Sequence, residues 1–283
     1  MSLVIIDQIS LPAHQTNEDR LGASGDLAWV IDGATDVLDS PLTNAPSDAS
    51  WIARHLDDAL AAHARAPSCT LEALPQRLAA DTAKAFAQVA RRPPVARYEH
   101  PSAAALIVQS VPGGITCLSI SDCSLLISQQ GTVRRFGVAE HEAADAGLAS
   151  AIASHRAANA TNPAETLLQR MRPSLQDMRS RMNCVNGYGV LSITPTPTSF
   201  VKHANIPLAP GAQLLLASDG FMRLVDVFHR YDAAALMREI AARGLKSMLA
   251  ELRAVESADR DGATHPRIKT SDDASAILVE LSA

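Results

Sequence analysis

A chain of 283 residues, 47% hydrophobic and 19% charged with a net charge of -5, can bury a core, and it offers no basic excess to attract nucleic acid or an anionic membrane. No segment supplies the ~18 consecutive apolar residues of a membrane span, and no N-terminal run joins basic residues to a long apolar stretch, so neither membrane insertion nor secretion is expected. The four cysteines, Cys69, Cys117, Cys123 and Cys184, form no C-x-x-C pair or zinc-like spacing and read as reduced thiols of a cytoplasmic protein.

Residues 3–10 ("LVIIDQIS") and 27–32 read as strands joined by a polar loop that contains "NEDR"; a loop rich in Asp, Ser, Thr and Pro runs from Ala34 to Ser47. Two alanine-rich helices are predicted over 48–65 and 70–91, with Thr70 as N-cap and Arg91-Arg92-Pro93-Pro94 as the stop. Strands resume at 103–111, 115–120, 124–128 and 133–136, where the turns at Gly113-Gly114 and Gly131 argue for antiparallel hairpins. From 140 to 183 the pattern is helical, with Leu167, Met171, Leu175, Met178 and Met182 spaced by three and four as a core-packing stripe. Asn186-Gly187 turns the chain into strands at 188–193, 199–204 and 213–217. Helices at 221–227, 232–242 and 244–257 precede a polar loop and a last strand, 274–281. The elements lack the strict alternation of a doubly wound parallel sheet, and no repeat or long linker divides them, so a single α+β domain over 4–283 is predicted.

Carboxylates recur where strands end. "VIDGA" delivers Asp32, "SISDCS" Asp122, "LLLASDGF" Asp219 and "SDDASAILVEL" Asp272 and Asp273, while "TNEDR" adds Glu18 and Asp19. Singly, an Asp-Gly pair is a turn signal and a pair of acids is a solvated loop. Together they matter, because a sheet can bring such ends to one place. Two like charges ~4 Å apart repel by about 4 kcal/mol at an effective dielectric of 20, so a compact cluster needs cations. Hard Mg²⁺ or Mn²⁺ suits all-oxygen ligands.

The ordered set "NEDR", "VIDGA", "PSAAALIV", "ISDCSLLI", "LLLASDGF" and "SDDASAILVEL", spanning Asn17 to Leu281, resembles the metal-dependent protein phosphatase family, the type-2C Ser/Thr phosphatases. Arginine-rich, lysine-poor usage suggests a bacterial member. The resemblance implies a four-layer α/β/β/α sandwich of two antiparallel sheets flanked by helices, with two Mn²⁺ or Mg²⁺ ions at its edge. Carried over by position, Asp32 bridges both ions, Asp219 and Asp272 complete one, and Glu18 with the Gly33 carbonyl serves the other. Asp19 stands behind them, and Asp122 with Asp219 offers a third, weaker position. The implied reaction is hydrolysis of a phosphoserine or phosphothreonine ester of a protein substrate by water bridging two cations.

Three positions depart from the family pattern. His14 replaces the arginine that many members place four residues before the Glu to hold phosphate, and an imidazole is a poorer clamp than a bidentate guanidinium. Arg20, Arg267 and Lys269 are the candidates to replace it. "DGAT" leaves Ala34 where some members carry a histidine, and Asp273 stands for an asparagine. His14 and the altered "DGAT" loop keep open a catalytically weak regulatory or binding module, and a phosphatase of a small phosphorylated metabolite would share the same chemistry with a different pocket. Two other classes are weaker still: no cysteine has an arginine six positions on, and "DRDGAT" (Asp259–Thr264), which imitates a haloacid dehalogenase motif, follows a helix and reads as a solvated loop.

Overall fold

Along Leu27–Gly33 (β3), Ala28 and Val30 enter one hydrophobic core while Leu27, Trp29 and Ile31 enter another, because successive strand residues face opposite sides. Gln213–Ala217 (β10) divides likewise, with Leu214 and Leu216 in the first core and Leu215 and Ala217 in a third. Strands buried on both faces must lie between other layers. The computed structural model, which describes residues 1–137 and 167–283, has that arrangement.

One sheet runs in the order β1 (Ser2–Leu11), β11 (Ala274–Ser282), β10, β6 (Ser124–Gln129), β7 (Thr132–Phe136). The other runs β2 (Asp19–Ser24), β3, β4 (Ser102–Val111), β5 (Gly114–Ile120), β9 (Lys202–Pro207), with the two-residue β8 (Leu191–Ser192) against β4. All pairings between these strands are antiparallel. Helices α1 (Asp48–Arg65) and α2 (Leu74–Val89) cover the outer face of the second sheet through Ile52, Leu56, Leu60, Leu74 and Leu78. Helices α4 (Asp219–Asp226) and α5 (Ala233–Ala258) cover the first through Phe221, Leu224, Leu236, Ile240 and Leu249. The sandwich is the four-layer α/β/β/α arrangement expected. Each fully buried leucine of β10 contributes about 1.5–3 kcal/mol, and truncating Leu215 to alanine would cost about 2–5 kcal/mol.

Local chemistry sets the boundaries. Ser47 caps α1, accepting from the Ser50 amide while Ser50 Oγ accepts from the Ser47 amide. Helix α2 does not start at Thr70: residues 70–73 form a turn, and the helix begins with Leu74-Pro75, where a proline fits because its missing N–H has no helical acceptor. Gly244, at φ 78°, kinks α5 at the predicted break, and Asp7 of β1 accepts the Leu245 amide at 2.9 Å to cap the second half.

Other expectations were displaced. The polar loop around "NEDR" in fact supplies β2, whose Gly22 lies so close under Trp29 that a Cβ there would stand 2.5 Å from the ring. Only Leu191–Ser192 of 188–193 forms a strand, and β9 starts at Lys202, after a short 3₁₀ turn at Thr198–Phe200. Of the methionine stripe on and after α3 (Leu167–Arg179), Met171 and Met182 are buried but Met178 is exposed. The part of the predicted 140–183 helical stretch that precedes α3 falls on residues 138–166, outside those described.

Candidate active site

Antiparallel register puts Asp19 of β2 directly opposite Asp32 of β3, and the Gly33 amide donates to the Glu18 carbonyl at 3.0 Å. Beyond the end of β10, Ser218 joins the two sheets: its amide donates to the Ser275 carbonyl at 2.9 Å and its hydroxyl to Asp19 Oδ2 at 2.8 Å. Asp219 follows as the first residue of α4. Asp122 arrives from the β5–β6 loop, which turns at Ser121 with φ 69°, and its charge reaches Asp32. Asp273, just before β11, accepts the amides of Ala13 at 2.7 Å and Glu18 at 2.5 Å, fastening the loop after β1.

Desolvation and crowding raise the proton affinity of this cluster. Desolvation pushes Asp19 up to about 8, against hydrogen bonds from Ser218 and Ser275 and with repulsion from Asp273 and Asp219. Asp32 stands well above the ordinary carboxylate range, first through desolvation and then through Asp19, Asp219 and Asp122. Desolvation raises Glu18, which the Ser47 hydroxyl, Lys269 and Thr35 partly offset. Asp272 differs. Desolvation opposes its charge too, but Lys269 at 2.8 Å and Arg223 at 2.7 Å outweigh it and hold its pKa below the ordinary value.

The donor set fits hard divalent cations. It consists of carboxylates and the Gly33 carbonyl, and the one nearby thiol, Cys123, is kept protonated by burial and by the surrounding aspartates. Glycine is required twice where backbones converge: a Cβ on Gly33 would stand 2.7 Å from the Ala49 and Glu18 carbonyl oxygens, and one on Gly220 would stand 1.9 Å from the Asp273 carbonyl oxygen. Among the described residues, no group of three or more His, Cys, Asp or Glu side chains is already drawn into a coordinating cage. Asp272 instead engages the side-chain cations of Lys269 and Arg223.

Of the expected residues, Asp19, Asp32, Asp122 and Asp219 interact with one another, while Glu18 and Asp272 flank them and are linked through Lys269. His14 stands apart. It is exposed, and it lines a groove of about 610 Å³ with Arg170, Arg260 and Lys269. Two candidate phosphate clamps are committed elsewhere. Arg20 donates to the Asn17 and Asp19 carbonyls. Arg267 is buried against Asp259 at 2.7 Å and over the Phe228 ring. Asp259 itself is engaged within the fold, accepting from the Thr264 and His265 amides and anchoring the 259–270 loop that carries Lys269, while Arg260, Asp261, Ala263 and Thr264 of that loop are exposed to solvent as expected.

Sequence reasoning missed three charged groups. Arg223, one helical turn after Asp219, bridges Asp272 and Glu256, and its spacing of four from Asp219 was the available signal. Arg179 of α3 donates to the Ala34 carbonyl at 2.7 Å and balances Glu18 and Asp36. Asp36, raised to about 6 by desolvation despite a hydrogen bond from the Asp48 backbone, receives the first amides of α1. Nothing in the sequence marked either of the last two.

The sequence profile of Protein phosphatase 2C matches residues 12–255. The chain belongs to that family. It is accordingly a divalent-metal-dependent Ser/Thr protein phosphatase whose substrates are phosphorylated proteins. A search of curated protein sequences finds no match. Solved structures share the fold. The serine/threonine phosphatase PstP/Ppp of Mycobacterium tuberculosis superimposes with a TM-score of 0.58 at 15% identity, covering 100% of both chains. The PPM Ser-Thr phosphatase MsPP from Mycobacterium smegmatis, solved in complex with cacodylate, gives 0.53 at 16% identity over 98% of this chain and 99% of its own. The PstP catalytic domain in complex with 2 manganese ions gives 0.53 at 13% identity over 100% of both. No described helix is long and apolar enough to cross a membrane.

Proposed function

We propose that phosphoserine and phosphothreonine esters of a protein substrate are hydrolysed where Asp32 and Asp219 meet, within a single catalytic domain over 4–283. Asp32 would be shared by two Mn²⁺ or Mg²⁺ ions, Asp219 and Asp272 would hold one of them and Glu18 with the Gly33 carbonyl the other, and Asp122 with Asp219 would offer a third, weaker position. When bound, the ions supply an acidified attacking water and neutralise charge on the phosphoryl group. The chain's own residues prepare the site. Ser218 orients the Asp19 carboxylate behind Asp32, and Asp273 holds Glu18 against the sandwich edge. His14 opens onto the groove it shares with Arg170, Arg260 and Lys269, whose positive lining suits an incoming phosphoryl dianion.

The observation that carries this reading is the delivery of four aspartates from separate strands and loops to one place, where their mutual repulsion favours the entry of divalent cations. The four free thiols support a reducing cytoplasm, and the arginine-rich usage supports a bacterial source. The test is release of phosphate from a phosphothreonine peptide with Mn²⁺ and then with excess chelator, for wild type and Asp219→Asn. Metal-dependent turnover lost in the variant, with the fold intact by circular dichroism, is the expected result. Turnover undiminished by Asp219→Asn would remove the assignment.

A further inference from the structure

Asp272 has a side-chain cation on each carboxylate oxygen, Lys269 Nζ at 2.8 Å from Oδ1 and Arg223 Nη2 at 2.7 Å from Oδ2. The two cations are held differently. Arg223 is buried and also pairs with Glu256 at 3.3 Å, a carboxylate only 1% exposed, so withdrawing it would break a second buried pair. Among the described residues, Lys269 is bound only to groups of the site. It donates to Asp272 and to the Thr35 hydroxyl, which in turn donates to Glu18 Oε2 at 3.2 Å, and its charge also acts on Glu18 and Asp219. One ammonium therefore links groups assigned to both ion positions. It is also 24% exposed and borders the 610 Å³ groove, which gives the side chain somewhere to go.

Resting on the metal-site reading above, we propose that Lys269 is a tethered cation that holds Asp272 and Glu18 together in the metal-free protein, and that a divalent ion binding through Asp272 displaces it into the groove. Metal loading is then an exchange of one cation for another. The Asp272 side of the site is the weaker, because the entering ion competes with an ammonium at contact distance. Arg223 remains in place throughout, keeping Asp272 ionised and aimed.

Two measurements test this. Calorimetric titration of Mn²⁺ into wild type and Lys269→Met should show the weaker binding step tightened about tenfold in the variant, the scale of one competing partly buried charge. Equal or weaker binding by Lys269→Met, alongside measurable wild-type binding, overturns the inference while leaving the metal site standing. Absence of Mn²⁺ binding by wild type would instead overturn the metal-site reading and the inference with it. Because the variant changes a site residue, the second measurement uses wild type alone: acylation by an amine-reactive reagent, read by mass spectrometry with and without saturating Mn²⁺. Labelling of Lys269 should rise severalfold with Mn²⁺, and unchanged or reduced labelling refutes displacement.

Discussion

Substituting Gly220 with alanine tests whether the Asp219 turn and the Asp272–Asp273 segment are fitted to each other. A Cβ there would stand 1.9 Å from the Asp273 carbonyl oxygen and 3.3 Å from the Asp272 Cβ. The first contact is about 1.5 Å short of ordinary van der Waals distance, and its partner is backbone, which cannot rotate away. Overpacking costs about 1–3 kcal/mol, and this rigid contact lies at the upper end. Alanine's better helix propensity, about 1 kcal/mol over glycine, offsets part of it. A net loss of about 2 kcal/mol lowers the melting temperature by about 5 °C for a chain of this size. The catalytic effect should be larger, because displacing a reacting group by about 1 Å costs on the order of 100-fold in rate. The assay is thermal unfolding in chelator together with kcat on a phosphothreonine peptide in Mn²⁺. A variant with wild-type melting temperature and wild-type kcat would refute the argument that these two segments are held at contact.

Saturating Mn²⁺ should raise the melting temperature, since an ion at 100 times its Kd contributes about 2.7 kcal/mol, and chelator should reverse the rise in a thermal scan. Arg223→Met should destabilise by about 3–5 kcal/mol in urea unfolding, because it strips Glu256 and Asp272 of a buried partner; Arg253, 2.7 Å from Glu256, makes the lower figure the expected one. Asp259 has a folded pKa of about 2 against an ordinary 3.8, chiefly through the Thr264 amide and, against some desolvation, Arg267 and the His265 amide. Its contribution is full above pH 3.8 and disappears as pH falls towards 2. Solvent screening reduces the linkage value to about 1–2 kcal/mol. Acid unfolding of Asp259→Asn, followed by circular dichroism between pH 2 and 5, should lack that component, and an unchanged profile would contradict it.

Strands such as Leu214–Ala217 and Leu27–Ile31 were legible because burial on both faces leaves a continuous apolar run, and a carboxylate closing such a run is conspicuous. Asp32, Asp122 and Asp219 could be collected on that basis, and Asp272 as an acid in the short loop that opens the last strand. Strand β2 was not legible, since Gly22-Ala23-Ser24 has low strand propensity and is held by pairing to β3 beneath Trp29. Thr70 looked like a cap because hydroxyls commonly are, but Pro75 set the start of α2. The pairing of Lys269 and Arg223 with Asp272 depends on how the loop after α5 folds back, which no local pattern encodes. Arg267 looked available for phosphate for the same reason: its partner Asp259 closes a loop whose geometry exists only after folding.

The pairing of β1 with β11 places Ser2 opposite Ser282. During synthesis, β2, β3, β4 and β5 can assemble as soon as residue 120 has emerged, since each pairs with its sequence neighbour. Strand β1 has no such neighbour; among the described residues its only strand partner is β11, and its Asp7 caps a helix turn at Leu245. Strand β1 therefore cannot pair until residues 274–282 have been made, and its Leu3, which the fold buries, stays uncovered until then. Asp272 and Asp273 lie immediately before β11, so the step that docks β1 also completes the carboxylate cluster. A nascent chain therefore cannot complete its carboxylate cluster before residues 272–282 have been made.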